Sequence, residues 1–429
     1  MLSAFVNAFK VPELRRKILF TLFIIAIYRV GAFLPAPGID FAAARRLTES
    51  SDNLIRLLNL FSGGALTQLA IFALGIMPYI TASIIMQLLT VVIPKLEQWQ
   101  KEGGEAGTKK ITQWTRYLTV GLALMQSTGV TFLAHRGGFR DAQNNVVDLI
   151  PNFTPGRVAL IVVTLTAGTA LVMWLAELIS QRGIGNGMSI LIFASIVSGL
   201  PGQGANILAQ LGGVWFGFML FLFVLIIVGI VIVDQGQRRI PVQYAKRVVG
   251  RRMSGGSSTY IPLKVNTAGV IPIIFASSVL YFPALISTVI QWKALRSFID
   301  NHLANQGSPV YIIFYGLLII LFAYFYTAIT FNPLDIADNM RKYGGFIPGI
   351  RPGRPTAEHL DFILSRITLP GALFIAAIAL LPSIALATLQ VQSLPFGGTS
   401  VLITVGVALE TMKSVESQLL QRHYEGFLA

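Results

Sequence analysis

The 429-residue chain is 54% hydrophobic and only 12% charged, about half the charged share of a soluble domain, which excludes an ordinary soluble protein. Its net charge of +14 sits in short basic runs between long apolar segments, the positive-inside pattern of a membrane protein and not the water-facing basic surface of a nucleic-acid binder. Cysteine is absent, and His135, His302, His359 and His423 show no ligand spacing, so disulfides, thiol chemistry, a metal site and a cofactor are not expected.

In chain order, Lys10, Arg15, Arg16 and Lys17 lead into an apolar run at 18–34. No small-residue cleavage site follows it, so the run reads as a permanent first helix and not a signal peptide. A helix needs about 20 residues to cross the ~30 Å hydrocarbon core. On that measure the predicted spans are 18–34, 71–93, 117–135, 158–178, 188–200, 211–233, 268–290, 310–330, 367–389 and 399–417. The span at 188–200 is short, and the last carries Glu410 and Lys413 near its end. With the N-terminus in the cytoplasm, 24 of the 33 Lys and Arg fall on the cytoplasmic side, counting Lys413 at the inner end of the last span, 8 fall on external segments, and Arg29 lies inside the first span. That bias predicts both termini in the cytoplasm.

Residues 57–94 are 38 consecutive uncharged residues. As one helix they would run roughly 57 Å, far beyond the bilayer core. The chain must break, and Ser62-Gly63-Gly64 and Gly75-Ile76-Met77-Pro78 offer the breaks. A short uncharged helix at about 62–75 is therefore expected to fold back inside the protein. Non-spanning backbone at membrane depth is tolerated only where it is buried in protein or lines a cavity, which points to a pore or cavity.

Five spans precede Leu200-Pro201-Gly202-Gln203-Gly204 and five follow it. An odd number per half gives halves of opposite topology, as in inverted-repeat transport proteins, so 1–200 and 201–429 read as two halves. Two long basic loops, 234–265 and 331–366, are predicted in the cytoplasm. The glycine-rich Gly183-Ile184-Gly185-Asn186-Gly187 follows no strand and lacks the lysine of a phosphate-binding loop, so it reads as a tight turn between the fourth and fifth spans. Glu177 lies beside that turn, which favours an interfacial role over a midplane proton relay. No nucleophile–base constellation is present, and no enzyme activity is expected.

Several longer motifs carry a family resemblance. Residues 75–89, opening Gly75-Ile76-Met77-Pro78-Tyr79-Ile80, resemble the second-helix signature of the SecY family, the channel-forming subunits of bacterial protein translocons. Trp174-Leu175-Ala176-Glu177-Leu178-Ile179-Ser180 with Arg182-Gly183-Ile184-Gly185-Asn186-Gly187-Met188-Ser189 is similar to a second family signature. Gly236-Gln237-Arg238-Arg239-Ile240-Pro241, Tyr244-Ala245-Lys246-Arg247, Pro262-Leu263-Lys264-Val265-Asn266, Phe331-Asn332-Pro333 and the run 345–353 follow in order. The likeness extends from about Pro12 to the C-terminus.

The resemblance implies an all-α membrane protein of ten transmembrane helices, in two inverted five-helix halves around an hourglass pore, closed by a re-entrant plug helix. Carried over motif by motif, the pore ring is Ile76, Ile80, Met188, Ile192, Ile274 and Ile403. Ile76/Ile80 and Met188/Ile192 are i,i+4 pairs, each on one helix face; without the resemblance, isoleucine on a membrane helix is ordinary lipid-facing or packing material. A narrow apolar constriction gates by dewetting, which suits a pore that must pass every kind of side chain. Phe61, Ser62, Gly63 and Gly64 would form the plug entry and hinge. Gln87, Thr90, Gln126 and Asn266 would line a lateral gate to lipid, or serve as static glue between helices. Arg238, Arg239, Lys246, Arg247, Arg251, Arg252 and Arg351 would dock a driving partner. The family further implies the small membrane partners SecE and SecG, the SecA ATPase or a translating ribosome with its ribosomal RNA, signal sequences and nascent chains as cargo, surrounding lipid, and a bacterial cell membrane. A secondary transporter of a small solute is the alternative, but it predicts ionisable or amide groups converging at midplane where this chain presents isoleucines.

Overall fold

The computed structural model describes residues 9–40, 62–101, 104–135, 148–151, 153–244, 247–249, 252–254, 258–289, 293–303, 305, 307–389 and 398–428. Helices dominate it. The first, α1 (Pro12–Phe33), opens on a proline whose fixed φ suits a first helical turn and ends where Leu34 turns extended. The next, α2 (Met77–Val92), stops at extended Ile93, held out of the helical region by Pro94. After it, α3 (Pro94–Lys101) departs at 104°. Three long helices follow: α4 (Gly104–His135), α5 (Pro155–Arg182) and α6 (Gly187–Gln235).

In the second half, α7 (Ile271–Val289) leads through α8 (Lys293–Phe298) and a π-helical turn, Ile299–Leu303, into α9 (Pro309–Thr330). The chain closes with α10 (Pro333–Lys342), α11 (Arg354–Leu389) and α12 (Gly398–Leu428). The predicted spans fall on these helices, except that the span 71–93 becomes helical only at Met77. Among the described residues, five stretches are long and apolar enough to cross a membrane on those criteria alone, or six if the bent α2–α3 pair is counted. The other expected spans lie on helices that are shorter in their apolar part or carry charge.

Three expectations need correction. The segment 62–75 is not a helix beyond Ser62: residues 63–76 are a run of turns with a single bridge, Pro35 to Ala70. Gly63, Gly64, Leu69 and Gly75 all adopt positive φ there, which a right-handed helix cannot contain. The stretch 200–204, where the sequence reading divides the two halves, is helical, and the non-helical backbone within α6 falls at Gly212 (φ +80°). Finally, the chain is not purely helical. Strands β1 (Gln237–Tyr244) and β4 (Ser258–Lys264) form an antiparallel pair, and β5 (Gly345–Phe346) joins the free side of β1. A separate two-stranded ribbon pairs β2 (Arg247–Val249) with β3 (Arg252–Ser254).

The two predicted basic loops are therefore one structure. Gln243 pairs with Phe346 and Tyr244 with Gly345. Beneath this sheet, Ile240, Val242 and Leu263 share a small apolar core with Met340, Ile347, Leu360, Ile363 and Leu364.

Candidate functional site

The five predicted ring isoleucines are all near helix starts. Ile76 is the N-cap of α2 and Ile80 lies in its first turn, with the Ile80 amide donating to the Ile76 carbonyl at 3.1 Å. Met188 and Ile192 open α6, where the Asn186 side chain accepts from the Met188 amide at 3.0 Å and fixes the entry. Ile274 lies in the first turn of α7, and Ile403 is six residues into α12. The fold brings these separate turns together. Ile76, Ile80, Ile192, Ile274 and Ile403 belong to one contiguous apolar cluster, at 1%, 4%, 1%, 5% and 0% exposure, with Met188 packed on its edge.

None of the five isoleucines faces outward. The outward apolar surface is elsewhere, at Phe23 and Val30 on α1 and Phe221 and Leu225 on α6, each more than half exposed.

The run of turns at 62–76 is buried beside this cluster. Ala65, Leu66, Leu69, Ala70, Phe72 and Ala73 are each no more than 3% exposed. Backbone bonds tie it to the chain after α1: Ala36 N–H donates to Leu69 O at 3.0 Å and Ile71 N–H to Leu34 O at 2.8 Å. The Phe72 ring stacks on Tyr28, with centroids 5.9 Å apart. A Cβ added at Gly168 on α5 would stand 2.0 Å from the Ile71 carbonyl oxygen, so glycine is required for this approach. Ser62 is buried at 1% and its Oγ accepts from the Leu66 amide at 3.3 Å. Gly63 and Gly64 sit at φ +63° and +91°. Phe61 lies outside the described residues.

At the expected lateral seam, α7 packs against both α2 and α4. Thr90 is buried and its hydroxyl donates to the Gln87 carbonyl of its own helix at 2.7 Å. Gln126 on α4 is 1% exposed, and both its amide atoms lack a hydrogen-bond partner among the described residues. Asn266, just before α7, and Gln87 are half-buried. Among the described residues no hydrogen bond joins these four side chains to one another.

Glu177 has a definite partner that sequence reading did not name. Arg116 on α4 grips its carboxylate at two points, Nε to Oε1 at 2.8 Å and Nη2 to Oε2 at 2.5 Å. This planar fork braces α4 against α5. A second cross-helix pair, Lys413 Nζ to Asp234 Oδ2 at 2.6 Å, joins α12 to the end of α6, where β1 begins.

Of the expected docking residues, Arg238 and Arg239 are exposed on β1, and Arg239 lies over the Tyr260 ring of β4 at 4.8 Å. Arg351 is exposed in the loop between β5 and α11, and its carbonyl accepts from Thr356 Oγ1 at 2.8 Å. In the ribbon, Arg247 pairs with Ser254 and Arg252 with Val249. Lys246 and Arg251 lie outside the described residues.

A family model for SecY matches residues 70–412. The protein translocase subunit SecY of Streptomyces scabiei is 56% identical over 440 residues, covering 100% of each chain. Its counterpart in Mycobacterium tuberculosis (strain H37Rv) is 54% identical over 446 residues, again covering 100% of each. Among solved structures, the chain superposes on a protein conducting channel with a TM-score of 0.64 at 17% identity, covering 96% of both chains. It superposes on Sec61 from the canine ribosome–channel complex of the endoplasmic reticulum with a TM-score of 0.60 at 16% identity, covering 96% of both. At these identities the structural likeness establishes the fold, while the full-length sequence identity establishes kinship: the chain belongs to the SecY family.

Proposed function

We infer that this chain is the protein-conducting channel of a protein translocase, passing unfolded polypeptides across a membrane. The observation that carries this is identity of 54–56% along the whole length of chains that are protein translocase subunits. The apolar cluster gives the reading a physical basis. Isoleucines from helices of both halves belong to one contiguous buried apolar cluster, where flexible aliphatic side chains could seal at rest and close around a threaded chain.

In this account Ile76, Ile80, Met188, Ile192, Ile274 and Ile403 form the waist. The segment 62–76 is the plug, hinged at Gly63 and Gly64. The seam between α7 and the pair α2–α4 opens to lipid for membrane segments, and the partnerless amide of Gln126 is then free to bond an incoming chain. The sheet β4–β1–β5 with Arg238, Arg239 and Arg351 receives the motor, SecA or a ribosome. SecE and SecG complete the channel, and both termini lie in the cytoplasm. The chain itself is a conduit without catalytic work, and its partners supply the energy.

The test is reconstitution. Vesicles holding this chain with its membrane partners should import a radiolabelled secretory precursor when a motor and ATP are supplied. Uptake of small solutes with no movement of precursor would overturn the reading in favour of a solute transporter.

A further inference from the structure

Arg29 stands inside the first predicted span, away from the basic run at its start. A charged side chain near a helix end ordinarily snorkels to the water interface. Arg29 is instead half-buried, with its Nη1 donating to the Gly63 carbonyl at 3.1 Å and its Cζ 5.0 Å from the Phe33 ring. A Cβ added to Gly63 would lie 2.6 Å from that Nη1 and 3.0 Å from the Ser195 Cα of α6. Gly63 is thus gripped between α1 and α6. The neighbouring Tyr28 hydroxyl, 2.7 Å from Ser195 Oγ, joins the same two helices.

The two parts of the turn segment are held differently. Residues 69–72 are fastened by backbone bonds to 34–36 and wedged against Gly31 and Gly168, where an added Cβ would stand 2.0 Å from Phe72 and from the Ile71 carbonyl respectively. Residues 62–66 meet the helices through the packing of Ala65 and Leu66 and through the Arg29 bond. Gly63, which accepts that bond, and Gly64 occupy left-handed backbone that glycine adopts without steric cost. A charged donor on a carbonyl is strong enough to bias a resting state and weak enough to be displaced by an entering chain.

We propose that Arg29 is the latch of the resting channel, a positioning residue that seats the first half of the re-entrant segment and releases it when a polypeptide enters. This rests on the channel reading above. The chain has no cysteine, so Ser62→Cys introduces a single, nearly isosteric reporter at a position 1% exposed at rest. The full chain carrying Ser62→Cys, alone or with Arg29→Met or Arg29→Lys, is labelled in native membrane vesicles with a membrane-impermeant maleimide. Labelling is measured at rest and with a stalled precursor in the channel.

At rest the Met variant should label about tenfold faster than the Arg parent, the effect of losing one charge-assisted bond, with Lys between them. With precursor in place all three should label alike, because the latch is already open. Equal resting rates overturn the proposal, and so does a difference that survives occupation, which would mark a general packing defect. If Arg29→Met fails to accumulate, Arg29→Lys, which keeps the charge, carries the comparison alone. Precursor transport is followed in the same vesicles. If the chain with Ser62 intact moves none in parallel vesicles, the channel reading fails; if it moves precursor while resting rates are equal, the latch alone fails.

Discussion

Replacing Ile403 by Asn should convert the sealed waist into a leaking one. Ile403 is 0% exposed within the shared apolar cluster. Removing a fully buried isoleucine gives up about 1.5–3 kcal/mol of burial. The incoming amide, with apolar neighbours, adds about 1–3 kcal/mol of unsatisfied polarity. The closed arrangement should therefore lose roughly 3–5 kcal/mol against any arrangement that admits water, a shift of about two to four powers of ten in the closed-to-open ratio. The assay has two arms: single-channel conductance of the purified complex in planar bilayers, and export of a precursor with a crippled signal sequence. Both should rise, while Ile403→Leu, which conserves volume and polarity, should change neither. A solid core would respond otherwise, with a lower unfolding temperature and reduced abundance but no conductance. That result for Ile403→Asn would refute the reasoning.

Two further substitutions test other parts of the site. Gly168→Ala places a methyl group 2.0 Å from the Ile71 carbonyl oxygen, so the re-entrant segment must shift away from α5; resting ion leak should increase several-fold in planar bilayers, with precursor transport retained. Arg351→Glu alters an exposed side chain and leaves the backbone carbonyl that accepts from Thr356 in place. Normal membrane levels with motor-driven transport reduced about tenfold or more are expected, read by precursor import into vesicles, in line with loss of a charged contact at a docking face.

What the sequence made legible follows from what a membrane forces on a chain. The ten predicted spans lie on helices, save the first six residues of 71–93, because hydrocarbon demands long apolar runs with internal backbone bonds. Hydropathy sees only the part in lipid, so α4 and α11 extend well beyond their predicted spans, to Gly104 and Arg354. Burial of 62–76 was implied by 38 uncharged residues, but its conformation was not. Small and apolar residues fit a helix or a run of turns equally, and positive φ at Leu69 has no signal in composition.

The strands at 237–264 were hidden by charge. Arg238 and Arg239 read as topology markers, although Ile240, Val242 and the half-buried Tyr244 alternate with exposed Pro241 and Gln243 as a half-buried strand requires. Pairing of β5 with β1 joins residues a hundred positions apart, which no local pattern encodes. Arg29 was visible only as a charge inside a span; its partner, Gly63, contributes a backbone carbonyl, and a carbonyl leaves no trace in sequence.

Whether the isoleucine cluster is a passage is tested most directly by a stalled secretory chain, with photo-crosslinking residues placed singly at positions 80, 192, 274 and 403. All four should crosslink the mid-segment of the trapped chain, whereas probes at Phe23 and Leu225 on the outward surface should not. Crosslinks from the outward probes, with silence at the four buried positions, would mean that the polypeptide travels elsewhere and that the cluster is only a core.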